Sequence, residues 1–240
     1  MLNTSALPYR YQRSSPLKKF VLIDSTPLPD PGARLCLFEY GEDFVIKRED
    51  GKGGQLMNTR MHGSEDALGK LPCARIADRA NARVLIGGLG MGFTLAAALA
   101  ELGGQAQVLV AELLEGVIQW NEGPLGAKAG YPIRDPRAQI LHDDVADVLR
   151  TDNLGFDAIM LDVDNGPEGL VQSANSWLYS VEGLQRCKRA LKPKGLLAVW
   201  SASIDQRFSA RLRSAGFKVE EVQVFAHGNR GPKHTIWLAQ

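Results

Sequence analysis

Cysteine, charge imbalance and long apolar runs are all scarce in this chain, and each scarcity removes a class of protein. The three cysteines, Cys36, Cys73 and Cys187, are odd in number and far apart, with no C-x-x-C pair and no histidine cluster beside them. That spacing argues against a disulfide framework and against a zinc site, and it fits a reducing cytoplasm. Lysine and arginine number 28 against 27 acids, a net charge of +1. Without a basic or acidic excess, neither a nucleic-acid backbone nor a membrane surface is implied as partner, so a small-molecule substrate is expected. No run approaches the ~18 apolar residues of a membrane helix. Residues Met1 to Lys19 lack acids and carry Arg10, Arg13, Lys18 and Lys19, but Pro8, Pro16 and the missing apolar segment argue against a signal peptide. A loose arm is expected there. No internal repeat or low-complexity segment is visible.

What the chain does have is a glycine turn. Arg83-Val84-Leu85-Ile86-Gly87-Gly88-Leu89-Gly90-Met91-Gly92-Phe93-Thr94 is a short β-branched run that empties into glycines and continues as an alanine-rich helix. Such a turn lets the backbone pass close to a ligand at a helix N-terminus. Gly88, Gly90 and Gly92 form G-x-G-x-G, whereas the dinucleotide fingerprint would need a glycine where Phe93 stands, so an adenosylmethionine-type site is expected rather than a nicotinamide one. Gln107 to Glu112 reads as a second buried strand that ends in an acid about twenty residues beyond the glycines, the place of a ribose-binding carboxylate. The other reading of Glu112 is an acid at the start of the helix near Glu115.

A chain of 240 residues can bury one α/β domain plus a small appendage. Phe20 to Asp24, Leu35 to Tyr40 and Phe44 to Lys47 are short runs separated by proline and glycine turns, which predicts a small antiparallel sheet. A helix is expected over Ser64 to Cys73 with Ser64 as its N-cap. From about Asn81 strands and helices alternate, with strands at Val84 to Gly87, Gln107 to Glu112, Ala138 to His142, Phe156 to Asp162 and Leu196 to Trp200. Phe217 to Phe225 and Thr235 to Ala239 should close the sheet as an antiparallel hairpin around the loop 227–232. The fold class expected is therefore α/β, a doubly wound, mostly parallel, seven-stranded Rossmann-like sheet. The division expected is an arm over 1–19, a β region over 20–63 and the large domain over 64–240.

Ligands of open α/β sheets sit beyond the carboxyl ends of the strands, so the acids there are the candidates for chemistry. After the third large-domain strand, Asp144 in His142-Asp143-Asp144 can accept from the exocyclic amine of adenine or cap the helix that follows. After the fourth come Asp162, Val163, Asp164, Asn165 and Gly166. Asp162 and Asp164 share a face while a strand persists, and two carboxylates there would attract an amine and take its proton. Asp162 is the expected base and Asp164 the orienting acid; turn formation is their other reading. His62 reads as a solvent-facing loop residue, the cluster Arg230, Lys233 and His234 as a solvated hairpin tip, and Trp120, Trp177 and Trp200 as core or pocket wall.

Assembled in this way, the chain resembles the spermidine synthase (polyamine aminopropyltransferase) family from about Phe38 onward. The resemblance rests on the β region ending near Gly54-Gln55, the glycine turn, Glu112, Asp135-Pro136-Arg137 leading to His142-Asp143-Asp144, Asp162, Leu178-Tyr179-Ser180 and the run Arg189 to Gly195. It implies the class I adenosylmethionine-dependent architecture, with Gln55, Glu112 and Asp144 as ligands of the nucleoside and Asp162 as catalytic acid; the glycine turn, Gly87, Gly88, Gly90 and Gly92, and Asp143 are expected around the same nucleoside, with no metal and a homodimer allowed. Three departures stand out. The family's G-G-G-D-G-G turn has Gly90 in place of the aspartate that faces the aminopropyl end of decarboxylated adenosylmethionine. Its D-x-x-D-P reads Asp162-Val163-Asp164-Asn165-Gly166, and its Tyr-His-Glu string reads Met61-His62-Gly63-Ser64-Glu65. Because the missing carboxylate would no longer repel the carboxylate of ordinary adenosylmethionine, methyl transfer to a small amine-type nucleophile is the first expectation. Aminopropyl transfer to a polyamine precursor and a non-catalytic nucleoside binder are the alternatives.

Overall fold

Turn chemistry and apolar alternation divide the chain into two sheets. A computed structural model describes residues 19–50, 54–151, 155–163, 176–228 and 230–240. The first sheet is an antiparallel meander of β1 (Phe20–Pro27), β2 (Arg34–Tyr40), β3 (Asp43–Glu49) and β4 (Gln55–Asn58). Its last strand was not among the three the residue pattern indicated, because Gln55 to Asn58 lacks a β-branched run and is recruited only by pairing with Val45, Ile46 and Lys47.

Helix α1 (Gly63–Ala74) starts one residue before the expected cap, and Ser64 does not cap it. The hydroxyl of Ser64 is drawn instead to the carboxylate of Glu65 and the ring of His234. Then follow β5 (Arg83–Gly87), α2 (Phe93–Glu101), β6 (Gln107–Glu112), α3 (Glu115–Glu122), α4 (Gly126–Ala129), β7 (Ala138–His142), α5 (Val145–Arg150), β8 (Phe156–Leu161), α6 (Val181–Ala190), β9 (Leu191–Ser201), α7 (Gln206–Ser214), β10 (Val219–His227) and β11 (Arg230–Ala239). Asp144, Ser180 and Asp205 cap α5, α6 and α7 with side-chain oxygens that accept from the first turn.

The seven large-domain strands run in the order β10-β11-β9-β8-β5-β6-β7, parallel except for the closing hairpin. This is the expected doubly wound α/β sheet. The hairpin is longer than expected, since β10 and β11 stay paired as far as His227 and Arg230 and take in most of the presumed loop. Pro232 is tolerated there because β11 pairs with β9 only from Thr235 onward. Strand β9 also begins early, at Leu191, and slips register between its contacts to Phe156 and Ala158, with Lys194 at φ 62°.

Alternation along the strands sorts the core into two layers. Val84, Ile86, Ala158 and Met160 join one apolar cluster, while Leu85, Ile159 and Leu161 join the other. Leu35, Leu37 and Ile46 of the small sheet belong to the first cluster, so that sheet is packed into the large domain rather than tethered beside it. Trp120 on α3 secures the junction by donating its indole N–H to Asp24 on β1 at 2.8 Å. All three cysteines are buried and free. No helix among the described residues is long and apolar enough to cross a membrane.

Candidate active site

Strand β5 lies between β6, the next strand in the chain, and β8, which arrives after a crossover, so its carboxyl end is the point where the winding reverses. A cavity of about 510 Å³ opens there, within the size range of small-molecule sites. Its walls come from β3, β4, α1, the glycine turn, the ends of β6 and β8, and the hairpin.

The turn itself is sterically dictated. Gly88 has φ +91°, and a Cβ added there would lie 2.4 Å from the backbone oxygen of Asp162, so only glycine lets β5 and β8 end side by side. Gly90, at φ +51°, is different: a Cβ would meet only Met57 Sδ at 3.5 Å, an ordinary contact. Met57 thus occupies the region that Gly90 leaves open. Gly87 packs on Val145 and Gly92 caps α2, held from behind by Asn121, whose amide donates to the Gly90 carbonyl at 2.8 Å. Gly88 and Gly90 line the cavity, while Gly87 and Gly92 support it from behind.

Glu112 is buried at the end of β6 and also lines the cavity. Its two oxygens accept from the N–H groups of Leu89 at 2.8 Å and Leu114 at 2.9 Å. Burial pushes its carboxyl above the ordinary value, and these backbone donors oppose the rise. The side chain therefore ties the glycine turn to the loop after β6, and it does not cap α3, whose N-cap is Leu114. Gln55 lines the rim from β4, and Asp143 and Asp144 line it from the end of β7. Asp144 accepts from Ala146 N–H at 2.8 Å, so its capping role is realised while its side chain still borders the cavity.

Asp162 lies one residue past the end of β8, so the strand does not extend through it as expected. Its backbone N–H continues the ladder to the Gly87 carbonyl at 2.9 Å. Its side chain faces the cavity and accepts from Thr94 Oγ1 at 3.2 Å. Burial, then the charge of Glu65, pushes the Asp162 carboxyl up to about 7, with the Thr94 hydroxyl opposing. Asp164 falls outside the described residues.

Several participants escaped the sequence reading. Glu65 on α1 lines the same cavity, and burial raises its carboxyl as well. His234 is not part of a solvated tip: it lines the cavity, its Nδ1 is 2.8 Å from Ser64 Oγ, and Trp200 meets its ring edge to face at 4.8 Å. The Trp200 indole N–H is buried without a protein acceptor among the described residues. His62 is not a free loop residue either. Its ring stacks on Phe93 at 3.9 Å and its Nδ1 pairs with Asp66 at 2.8 Å, an interaction that raises its pKa. Trp120 is core, as expected, and Trp177 carries the guanidinium of Arg150 over its ring.

Five carboxylates border this cavity: Glu65, Glu112, Asp143, Asp144 and Asp162. No lysine or arginine borders it among the described residues, and no group of described side chains there is suited to hold a metal ion. Neither protein-family models nor curated proteins yield a match to the sequence. Solved structures do. The fold is that of spermidine synthases. A spermidine synthase in complex with the transition-state analogue AdoDATO superposes with a TM-score of 0.68 at 20% identity, covering 91% of this chain and 71% of its own. The spermidine synthase from Thermotoga maritima gives 0.69 at 20% identity over 91% and 72% of the two chains. A probable spermidine synthase from Corynebacterium glutamicum ATCC 13032 gives 0.61 at 18% identity over 94% and 81%.

Proposed function

We propose that this protein is a transferase that moves an aminopropyl group from decarboxylated adenosylmethionine to a short primary amine. The observation that carries this reading is the sign of the cavity: five bordering acids and, among the described residues, no lysine or arginine. An aminopropyl tail and an amine acceptor are both cationic and fit such a wall. The carboxylate of ordinary adenosylmethionine would meet no lysine or arginine among the described residues and several like charges. The likeness of fold to spermidine synthases points the same way.

The residues present suit the nucleoside. The Gly88 turn allows close backbone approach, Glu112 offers acceptors to ribose hydroxyls, and Gln55 and Asp144 border the space for a base. When bound, the donor supplies a sulfonium whose leaving group is a neutral thioether, so little acid assistance is needed. The protein must hold the acceptor in line and remove its proton. Burial raises the Asp162 carboxyl and, by the same physics, lowers the pKa of an ammonium beside it, so the two approach each other and proton transfer becomes accessible. Glu65 adds a second charge that attracts the acceptor's other end.

Methyl transfer from ordinary adenosylmethionine is a second reading, favoured by one observation: at Gly90 no carboxylate faces the donor tail, and Met57 stands there instead. Calorimetric titration with adenosylmethionine, its decarboxylated form and methylthioadenosine, followed by product analysis with short diamines, separates the two. At least tenfold tighter binding of the decarboxylated donor and an aminopropylated product are expected. Preference for adenosylmethionine with a methylated product would replace the first reading by the second.

A further inference from the structure

One histidine in the cavity wall has a nitrogen fixed by the protein and a nitrogen left over. His234, on β11, borders the cavity, and its Nδ1 lies 2.8 Å from Ser64 Oγ. Ser64 is fully buried behind the wall, so Nδ1 is turned away from the cavity. The ring nitrogens of an imidazole point in nearly opposite directions, which leaves Nε2 for the cavity side. Nε2 has no partner among the described residues. Trp200 meets the ring edge to face at 4.8 Å and fixes its plane.

Ser64 decides which nitrogen carries the proton. It does not cap α1; its single hydroxyl proton goes to Glu65 Oε2 at 2.5 Å. With that proton committed to a carboxylate, the Ser64 oxygen can only accept from His234. The proton of the neutral ring therefore sits on Nδ1, and Nε2 presents a bare lone pair. Burial lowers the pKa of His234, which keeps the ring neutral.

We propose that His234 is a specificity-determining residue whose Nε2 accepts a hydrogen bond from the non-reacting end of the acceptor, an assignment that rests on the amine-transfer reading of this cavity. Glu65 and His234 are bonded to the same Ser64 oxygen, so carboxylate and ring lie side by side in the wall. Together they offer acceptors and no donor. An ammonium has three N–H donors and can serve both groups; a hydroxyl has one, and a methyl group none. This part of the wall thus sorts acceptors by the donors they carry at the end away from the reacting nitrogen, which is left to Asp162. His234 is not among the residues that carry the resemblance to spermidine synthases, so this contact is a property of this chain.

Diaminobutane, aminobutanol and butylamine, each with its groups at the chain ends, share the reacting amine and differ only at the other end, so they isolate the contact. His234→Ala should raise KM for diaminobutane about tenfold, change kcat less, and leave KM for butylamine as in the wild type. His234→Gln, whose amide oxygen keeps an acceptor, should recover part of the loss. A tie that only braces α1 against β11 would harm all three amines alike. An equal loss on all three, or a folded His234→Ala protein that still separates diaminobutane from butylamine as the wild type does, overturns the assignment. Nitrogen-15 NMR of the imidazole reads the same contact without turnover: the free protein should hold its proton on Nδ1, and diaminobutane, but not butylamine, should move the Nε2 resonance to saturation. A ring protonated on Nε2, or an Nε2 resonance that diaminobutane leaves in place, also overturns it. If diaminobutane moves that resonance and no aminopropyl group is transferred, the reading of the reaction fails while His234 keeps its role in binding the amine.

Discussion

Asp162→Asn should sharply lower turnover and stabilise the protein, with the stabilisation confined to the pH range where the carboxylate is charged. The folded Asp162 carboxyl ionises near 7 against an ordinary value of 3.8. A group that holds its proton more tightly when folded costs stability as pH rises from the unfolded value to the folded one, and the cost is complete above pH 7. Each tenfold change in proton affinity is worth about 1.4 kcal/mol, which sets an upper bound of roughly 4 kcal/mol. Water entry and side-chain relaxation should reduce this to about 2 kcal/mol. Asparagine has nearly the same shape, can still accept from Thr94, and never ionises. For a chain of this size, thermal unfolding of Asp162→Asn should lie about 4–8 °C above wild type at pH 8 and close to it at pH 4.5. Activity on an amine should fall by about 10²–10⁴-fold. Equal gains at both pH values would show that packing, not charge, is responsible. A loss at pH 8 would refute the desolvated carboxylate altogether. Glu65→Gln removes the neighbouring charge and should produce a smaller gain in the same direction.

Three further perturbations test the site. Gly88→Ala forces a Cβ to within 2.4 Å of the Asp162 backbone oxygen at a positive φ, so it should cost more than about 2 kcal/mol in denaturant unfolding and remove nucleoside binding; wild-type behaviour would mean that the turn can reshape. Glu112→Gln retains one acceptor oxygen of two, leaves the Leu89 or Leu114 N–H unpaired, and should weaken nucleoside binding by roughly 1.5–3 kcal/mol in calorimetry; unchanged affinity would reduce Glu112 to a loop tie. Gly90→Asp has room beside Met57, and two like charges about 4 Å apart at an effective dielectric near 20 interact by ~4 kcal/mol, so a further tenfold or greater shift towards the decarboxylated donor is expected. A folded Gly90→Asp protein with unaltered preference would remove the tail from that position.

The sheet and the glycine turn were legible because their signals are local. Strands β5 and β6 read from their apolar runs to within a residue, since parallel strands covered on both faces are apolar along most of their length; β7, at the sheet edge with no fully buried residue, read from its Ile140-Leu141 pair and its place in the alternation of strands and helices. Gly88 was legible for the same reason: the close approach it permits is made to a strand end adjacent in the sheet. Strand β4 and the long hairpin were not, because pairing partners rather than residue type made them extended. The acids of the cavity separate along the same line. Glu112, Asp144 and Asp162 stand at strand ends, where the sequence by itself assigns a role. Ser64 read only as a helix cap, Glu65 only as part of a string that departs from the family's, and His234 as a hairpin tip; Ser64 and His234 are 170 residues apart. The raised pKa of Asp162 and the contact between Ser64 and His234 depend on which elements exclude water from which side chains. Sequence determined most of the large-domain elements and the glycine turn, because backbone propensity and apolar period act over a few residues. Only the tertiary structure decided the sign of the cavity and brought Glu65, Ser64 and His234 together beside Asp162, because desolvation and charge coupling are set by neighbours in space.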